Sequence, residues 1–222
     1  MYSIEDLFSD FDGSLFPGNI AYSQFEILDK QYPGILKDVR NIVKNHEENP
    51  KNNWGILVEN LVKVAGKYEI QYDDSWQAAR EIVESAQVGD DLEKALHSIN
   101  AEYMTVFTGS EDKVVDMYVK NVIQPVIPET SIRDCLGTKM EVVDGVITGK
   151  IDEIWDSQKR ALMVEQLKGN GKTVVIGNTE NDEGMMEKAD LSFFITKHNS
   201  GMKGNIVYTH LDGIPYYMKN LI

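Results

Sequence analysis

Two carboxylates one residue apart, Asp10 and Asp12, lie in the stretch Asp10-Phe11-Asp12-Gly13-Ser14, directly after the apolar pair Leu7-Phe8. The apolar pair reads as the end of a strand, and side chains two positions apart on extended backbone share a face. Asp10 and Asp12 can therefore work on one bound group at a strand's carboxyl end, where parallel α/β sheets bind ligands. Gly13 permits the chain to turn away. A plain surface turn is the competing reading, because Asp and Gly are turn formers. A calcium loop does not fit, since it wants glycine sixth and glutamate twelfth, and the corresponding positions here are Leu15 and Ala21.

Two later stretches repeat the arrangement. The strand-like run Tyr103 to Phe107 ends in Thr108-Gly109-Ser110, before a helical pattern through Val114, Met117 and Tyr118. Hydroxyls and backbone N–H groups at that junction suit an anion, or serve as an ordinary helix cap. The run Thr173 to Ile176 ends in Gly177-Asn178-Thr179-Glu180-Asn181-Asp182, rich in oxygen ligands. Between these, a helix over Ser157 to Lys168 carries Lys159 in its first turn. The helix dipole disfavours a cation there, which hints at a use for Lys159 elsewhere.

The elements that must position these groups alternate between strand and helix, apart from one long helical stretch at about 20–86. Within it, Trp54, Leu57, Val58, Leu61, Val62 and Ala65 form a stripe at helical spacing, read as core packing. Trp76, Ala79, Val83 and Ala86 form another. Asp144-Gly145 between two β-rich runs predicts a hairpin over 137–149. Leu191 to Ile195 and Ile206 to Tyr208 supply the last strands. Right-handed crossovers would bring the three polar strand ends to one sheet edge. The expected fold is α/β, a Rossmann-like doubly wound parallel sheet core with a small α-helical cap inserted after the first strand. Residues 1–15 and 87–222 would form the core domain and 16–86 the cap.

The 222 residues, 42% of them apolar, suffice for a sizeable core, and no apolar run is long enough to span a membrane. A net charge of −14 argues against nucleic acid, whose affinity rests on Lys and Arg. Any phosphate site must then supply its own positive charge locally. The single cysteine, Cys135, precludes an internal disulfide and reads as a buried apolar residue. With no signal-like N-terminus, the expected location is the cytoplasm.

Taken together, the chain resembles the haloacid dehalogenase-like hydrolases over most of its length. Asp10 to Ser14 looks like their first motif, Thr108 their second, Lys159 their third, and Gly177-Asn178 through Asp182 their fourth. The hairpin and the cap position are similar to the phosphoserine phosphatase-like branch. The resemblance implies a Mg²⁺-dependent phosphomonoesterase acting on a small phosphorylated metabolite. Asp10 would be the nucleophile, forming an aspartyl-phosphate, and Asp12 the general acid and base. Thr108 and the backbone at Gly109 would bind phosphate, and Lys159 would offset charge. Asp10, Asp12, Asn178 and Asp182 would form the metal surroundings, Asp182 through a bound water.

Two positions depart from the family pattern. Asn178 stands where an Asp is usual, so a metal ligand loses its charge and metal affinity should fall. Phe16-Pro17-Gly18-Asn19 stands where phosphoserine phosphatases carry a glutamate that reads the substrate's amino group, which leaves the substrate open. A catalytically weak or silent relative that binds a phospho-ligand or a protein partner is the alternative. A sugar phosphomutase is a third reading, and oligomeric state is not expressed in the sequence.

Overall fold

The computed structural model describes residues 4–49, 54–197 and 201–221. Its first strand, β1 (Ile4–Asp10), is almost wholly buried, as expected of a parallel strand covered on both faces. Four helices follow: α1 (Ile20–Leu28), α2 (Ile35–Glu48), α3 (Trp54–Lys67) and α4 (Tyr72–Ser85). Then come α5 (Asp90–Ile99), β2 (Tyr103–Glu111) and α6 (Asp112–Tyr118), which runs into a π-helical turn at Val119–Ile123. The hairpin strands β3 (Ser131–Val143) and β4 (Val146–Glu153) precede α7 (Ser157–Leu167) and β5 (Lys172–Gly177). The chain closes with α8 (Glu183–Met186), β6 (Leu191–Ile195), β7 (Gly201–Lys203), β8 (Ile206–Thr209) and α9 (Ile214–Leu221).

The described strands form one sheet in the order β4-β3-β2-β1-β5-β6-β8-β7. Strands β3, β2, β1, β5, β6 and β8 pair in parallel, and β4 and β7 pair antiparallel at the two edges. From β1 the chain steps outward to β2 and β3, then returns to place β5 on β1's other side. The sheet's switch point therefore lies at β1, and Asp10, Thr108 and Asn178 sit at the carboxyl ends of β1, β2 and β5 or just beyond them. The doubly wound parallel sheet with helices inserted after its first strand matches the sequence expectation. Among the described residues, no helix is long and apolar enough to cross a membrane.

The inserted helices have an apolar cluster of their own, including Phe25, Leu28, Ile35, Val39, Val64, Ala65 and Ile70. Ala79 and Val83 of α4 belong instead to the sheet's core, so that helix joins the two parts. The hairpin turns at Asp144 (φ 50°) and Gly145 (φ 80°), the pair of positive angles a two-residue turn requires. It also clasps the helices: Ile147 N–H donates to Ile70 O at 3.0 Å and Tyr72 N–H to Gly145 O at 2.8 Å. A Cβ at Gly66 would lie 2.6 Å from the Gly149 backbone, so only glycine allows that approach. The first half of β3, which extends the parallel sheet beside β2, and the short β7 had no clear signature in the sequence.

Candidate active site

Asp10 ends β1 and is 6% exposed. Its Oδ1 accepts from Arg160 Nη1 at 2.8 Å, and the same nitrogen donates to Asp182 Oδ1 at 2.6 Å. Arg160 is 1% exposed and Asp182 fully buried, so one guanidinium bridges two carboxylates inside the protein. Two buried carboxylates repel one another unless a cation lies between them. Burial pushes Asp10 well above the ordinary carboxylate range; Asp182 and Asp12 push the same way and Arg160 opposes them.

Asp12 lies two residues on, in a tight turn where Leu15 and Phe16 N–H both donate to Phe11 O. Its Oδ1 accepts Ile20 N–H at 2.8 Å, and its Oδ2 accepts the hydroxyls of Thr108 and Ser110, each at 3.0 Å. Burial raises its pKa against those hydrogen bonds, the direction that suits a general acid. Gly13 (φ 80°) makes the turn, and a Cβ there would meet Asn178 Nδ2 at 2.0 Å. Both its angle and its surroundings demand glycine.

The structure brings Asp10, Asp12, Thr108, Asn178 and Asp182 together and leaves Lys159 outside. Lys159 Nζ donates to Ile154 O at 2.8 Å on the exposed side of α7. Asp156 caps that helix by accepting Lys159 N–H, which sets a phase turning Arg160 and Val164, one turn apart, inward. The cation that the structure places beside Asp10 is Arg160, the next residue. A signal existed in the Arg160, Val164, Leu167 spacing, but the exposed Leu162 (57%) and a buried arginine obscure that face.

Of the residues expected around a metal, Asp12 and Asp182 have their carboxylates engaged by protein groups. Asp182 is consumed structurally: its Oδ2 accepts Asn178 N–H, Thr179 N–H and the Thr179 hydroxyl, while Oδ1 takes Arg160. The Asp12 carboxylate is likewise saturated. Among the described residues, no three His, Cys, Asp or Glu side chains converge as a metal cluster. Two of the expected residues, Asp10 and Asn178, together with the Asp12 main chain, offer the oxygens that fit a hard cation. Asn178 Oδ1 is buried without a partner, while its Nδ2 donates to the Asp12 main-chain carbonyl at 3.0 Å. An orphaned amide oxygen, that carbonyl and the Asp10 carboxylate are the donor types Mg²⁺ takes.

Thr108 is buried, and its hydroxyl is engaged twice, donating to Asp12 and accepting Ser110 N–H at 2.9 Å. Gly109 is covered by the Trp54 ring of α3: an ideal Cβ on Gly109 would fall 1.1 Å from an indole carbon. The Arg160 guanidinium carbon lies 5.8 Å from the same ring. Trp54 and Ser110 are thus site residues that sequence reasoning did not single out. Trp54 was read as part of a packing stripe, and Ser110 only as one of a cluster. Cys135 is half-buried, and burial pushes its thiol up to about 12, so it stays protonated and unreactive.

No family model matches the sequence, and no curated protein matches it. A phosphoserine phosphatase solved as a phospho-aspartyl intermediate analogue superposes with a TM-score of 0.63 at 19% identity, over 87% of each chain. An apo phosphoserine phosphatase gives 0.65 at 14%, over 98% of this chain and 99% of that one. The L-2-haloacid dehalogenase of Xanthobacter autotrophicus gives 0.56 at 12%, over 99% of this chain and all of that one. The chain has the haloacid dehalogenase-like fold, in the form that phosphoserine phosphatases share.

Proposed function

We propose that this chain is a hydrolase of small phosphate monoesters, working through an aspartyl-phosphate on Asp10. The observation that carries the reading is the Asp10–Arg160–Asp182 bridge, set beside Asp12 at the switch point of a fold shared with phosphoserine phosphatases. Asp10 oxygen attacks phosphorus, and the O–P bond forms as the bond to the leaving alcohol breaks. Asp12 gives that alcohol its proton, then takes one from the water that attacks phosphorus, releasing phosphate and restoring Asp10. Arg160 holds Asp10 in place and offsets the negative charge that gathers there. Thr108 and Gly109 are the proposed phosphoryl contacts, the Thr108 hydroxyl leaving Asp12 when Asp12 is protonated. Asp10, the Asp12 carbonyl and Asn178 Oδ1 would hold Mg²⁺, which when bound would supply positive charge to the site. The Asp12 and Asp182 side chains would orient and would not ligate.

One observation favours a second reading, a silent relative that binds a phospho-ligand or a protein partner. Asn178 Nδ2 already satisfies the Asp12 carbonyl, so the amide does part of what a cation would do there. Hydrolysis of an aryl phosphate across a Mg²⁺ titration separates the two. The phosphatase reading expects turnover that rises with Mg²⁺, is lost in Asp10→Asn, and needs less Mg²⁺ in Asn178→Asp. Silence of the wild type and of Asn178→Asp at saturating Mg²⁺ establishes the silent relative.

A further inference from the structure

Beside Asp12, between the inserted helices and the hairpin, lies a cavity of about 70 Å³, room for several water-sized groups. Its position is fixed by two neighbours of Asp12. Ser110, whose hydroxyl donates to Asp12, lines it, as does Ala21, which follows the Ile20 whose N–H also donates to Asp12. A leaving group protonated by Asp12 would therefore project into this space.

The walls are apolar. Phe25, Leu57, Val62, Ala65, Ile70 and Ile147 contribute, as does Trp54, whose ring lies 5.8 Å from the Arg160 guanidinium carbon. Several of the polar side chains around it have one group bonded to the protein. Gln24 Nε2 donates to Ser75 O at 3.2 Å, Thr138 Oγ1 to Gly109 O at 2.6 Å, and the Tyr72 hydroxyl to Glu111 Oε1 at 2.5 Å. Asn19 Oδ1 accepts Tyr22 N–H at 2.9 Å. Among the described residues, no lysine or arginine lines the cavity, so none of them offers a cation to a substrate carboxylate there. The single acidic wall residue, Glu111, is held by Tyr72, and burial pushes it towards its neutral form. An α-amino acid head would lose its hydration here with little in return.

We infer that the preferred substrate is the phosphate monoester of an apolar alcohol, aliphatic or aromatic, whose carbon chain fills this cavity. This rests on the phosphatase reading for its chemistry, though not for its binding. The expected discrimination follows from burying methylenes, each strengthening the fit about fourfold until the cavity is full.

The test has two arms on the intact wild-type protein. In the first, kcat/KM is measured for methyl, ethyl, propyl, butyl and phenyl phosphate, and for phosphoserine and phosphoethanolamine. Efficiency should climb about fourfold per methylene, with butyl or phenyl phosphate leading both amino compounds by tenfold or more. A flat series, or phosphoserine or phosphoethanolamine in the lead, overturns the assignment. In the second arm, the affinity of non-hydrolysable alkylphosphonates of the same lengths is measured by calorimetry. Affinity that grows with chain length in a protein without turnover supports the cavity assignment while removing the phosphatase reading. Affinity indifferent to length, with no turnover, overturns both. Ala65→Leu, which narrows the cavity, should abolish the advantage of butyl over methyl phosphonate, and unchanged chain-length dependence in a folded Ala65→Leu counts against the assignment.

Discussion

The floor and the roof of the site are built on opposite principles. On the floor, at the carboxyl ends of β1, β2 and β5, Asp10 and Asp182 are buried and share one arginine, and Asp12 is half-buried. On the roof, helices α1 and α3 and the hairpin surround a cavity with apolar side chains, and several of its polar groups bond to protein partners. Under the proposed function, charge is concentrated where bonds would break and withheld where the rest of the substrate would sit, which would separate chemistry from recognition. Floor substitutions should therefore be felt in stability and turnover together, and roof substitutions mainly in which substrate is accepted.

The sharpest break in that contrast is Arg160→Ala, which strands two carboxylates in the interior. It should cost about 3–5 kcal/mol of stability, read by denaturant unfolding. Lys159→Ala, one residue away and exposed, should stay within about 0.5 kcal/mol. Equal effects would return the charge-balancing role to Lys159. Next in size is Gly109→Ala, where floor and roof touch. The new methyl collides with the Trp54 ring, so overpacking of about 1–3 kcal/mol is expected. Trp54 fluorescence should change with it, and no change in either quantity would mean that the indole does not cover Gly109 in solution.

The smallest effect belongs to the roof's acid. Burial raises the Glu111 pKa above 4.5, so the folded protein holds that proton more tightly than the unfolded chain. Its stabilising contribution is complete below about pH 4.5 and is lost as pH rises through the raised folded value. Measured as the wild type minus Glu111→Gln, which keeps an oxygen for Tyr72, stability should fall across that window and level off above it. A difference that rises with pH would mean Glu111 is held ionised, and the roof would not be uncharged.

The same contrast explains what was legible in the sequence. The floor is made of short stretches at strand ends, so Asp10, Asp12, Thr108, Asn178 and Asp182 could each be found locally, and right-handed crossovers place those strand ends on one edge. Arg160 was displaced by one residue because helical phase is set by the Asp156 cap and by packing on Val164, not by charge. Which oxygens are left unengaged was hidden, since it depends on Asn178 Oδ1 lacking a partner and on Thr179 and Arg160 engaging Asp182. The roof was read as packing because its walls come from segments far apart in sequence, such as Phe25, Leu57, Ile70 and Ile147. Only assembled do half-buried residues such as Trp54, Leu57 and Leu61 prove to face a cavity.

The most direct test of the central claim is to trap the nucleophile. Wild-type protein quenched with borohydride during turnover of an aryl phosphate should carry homoserine, the reduction product of an aspartyl-phosphate, at position 10, detected by peptide mass analysis. Asp10 recovered unmodified from a protein that is hydrolysing the ester, or the reduced residue found at another aspartate, would contradict it.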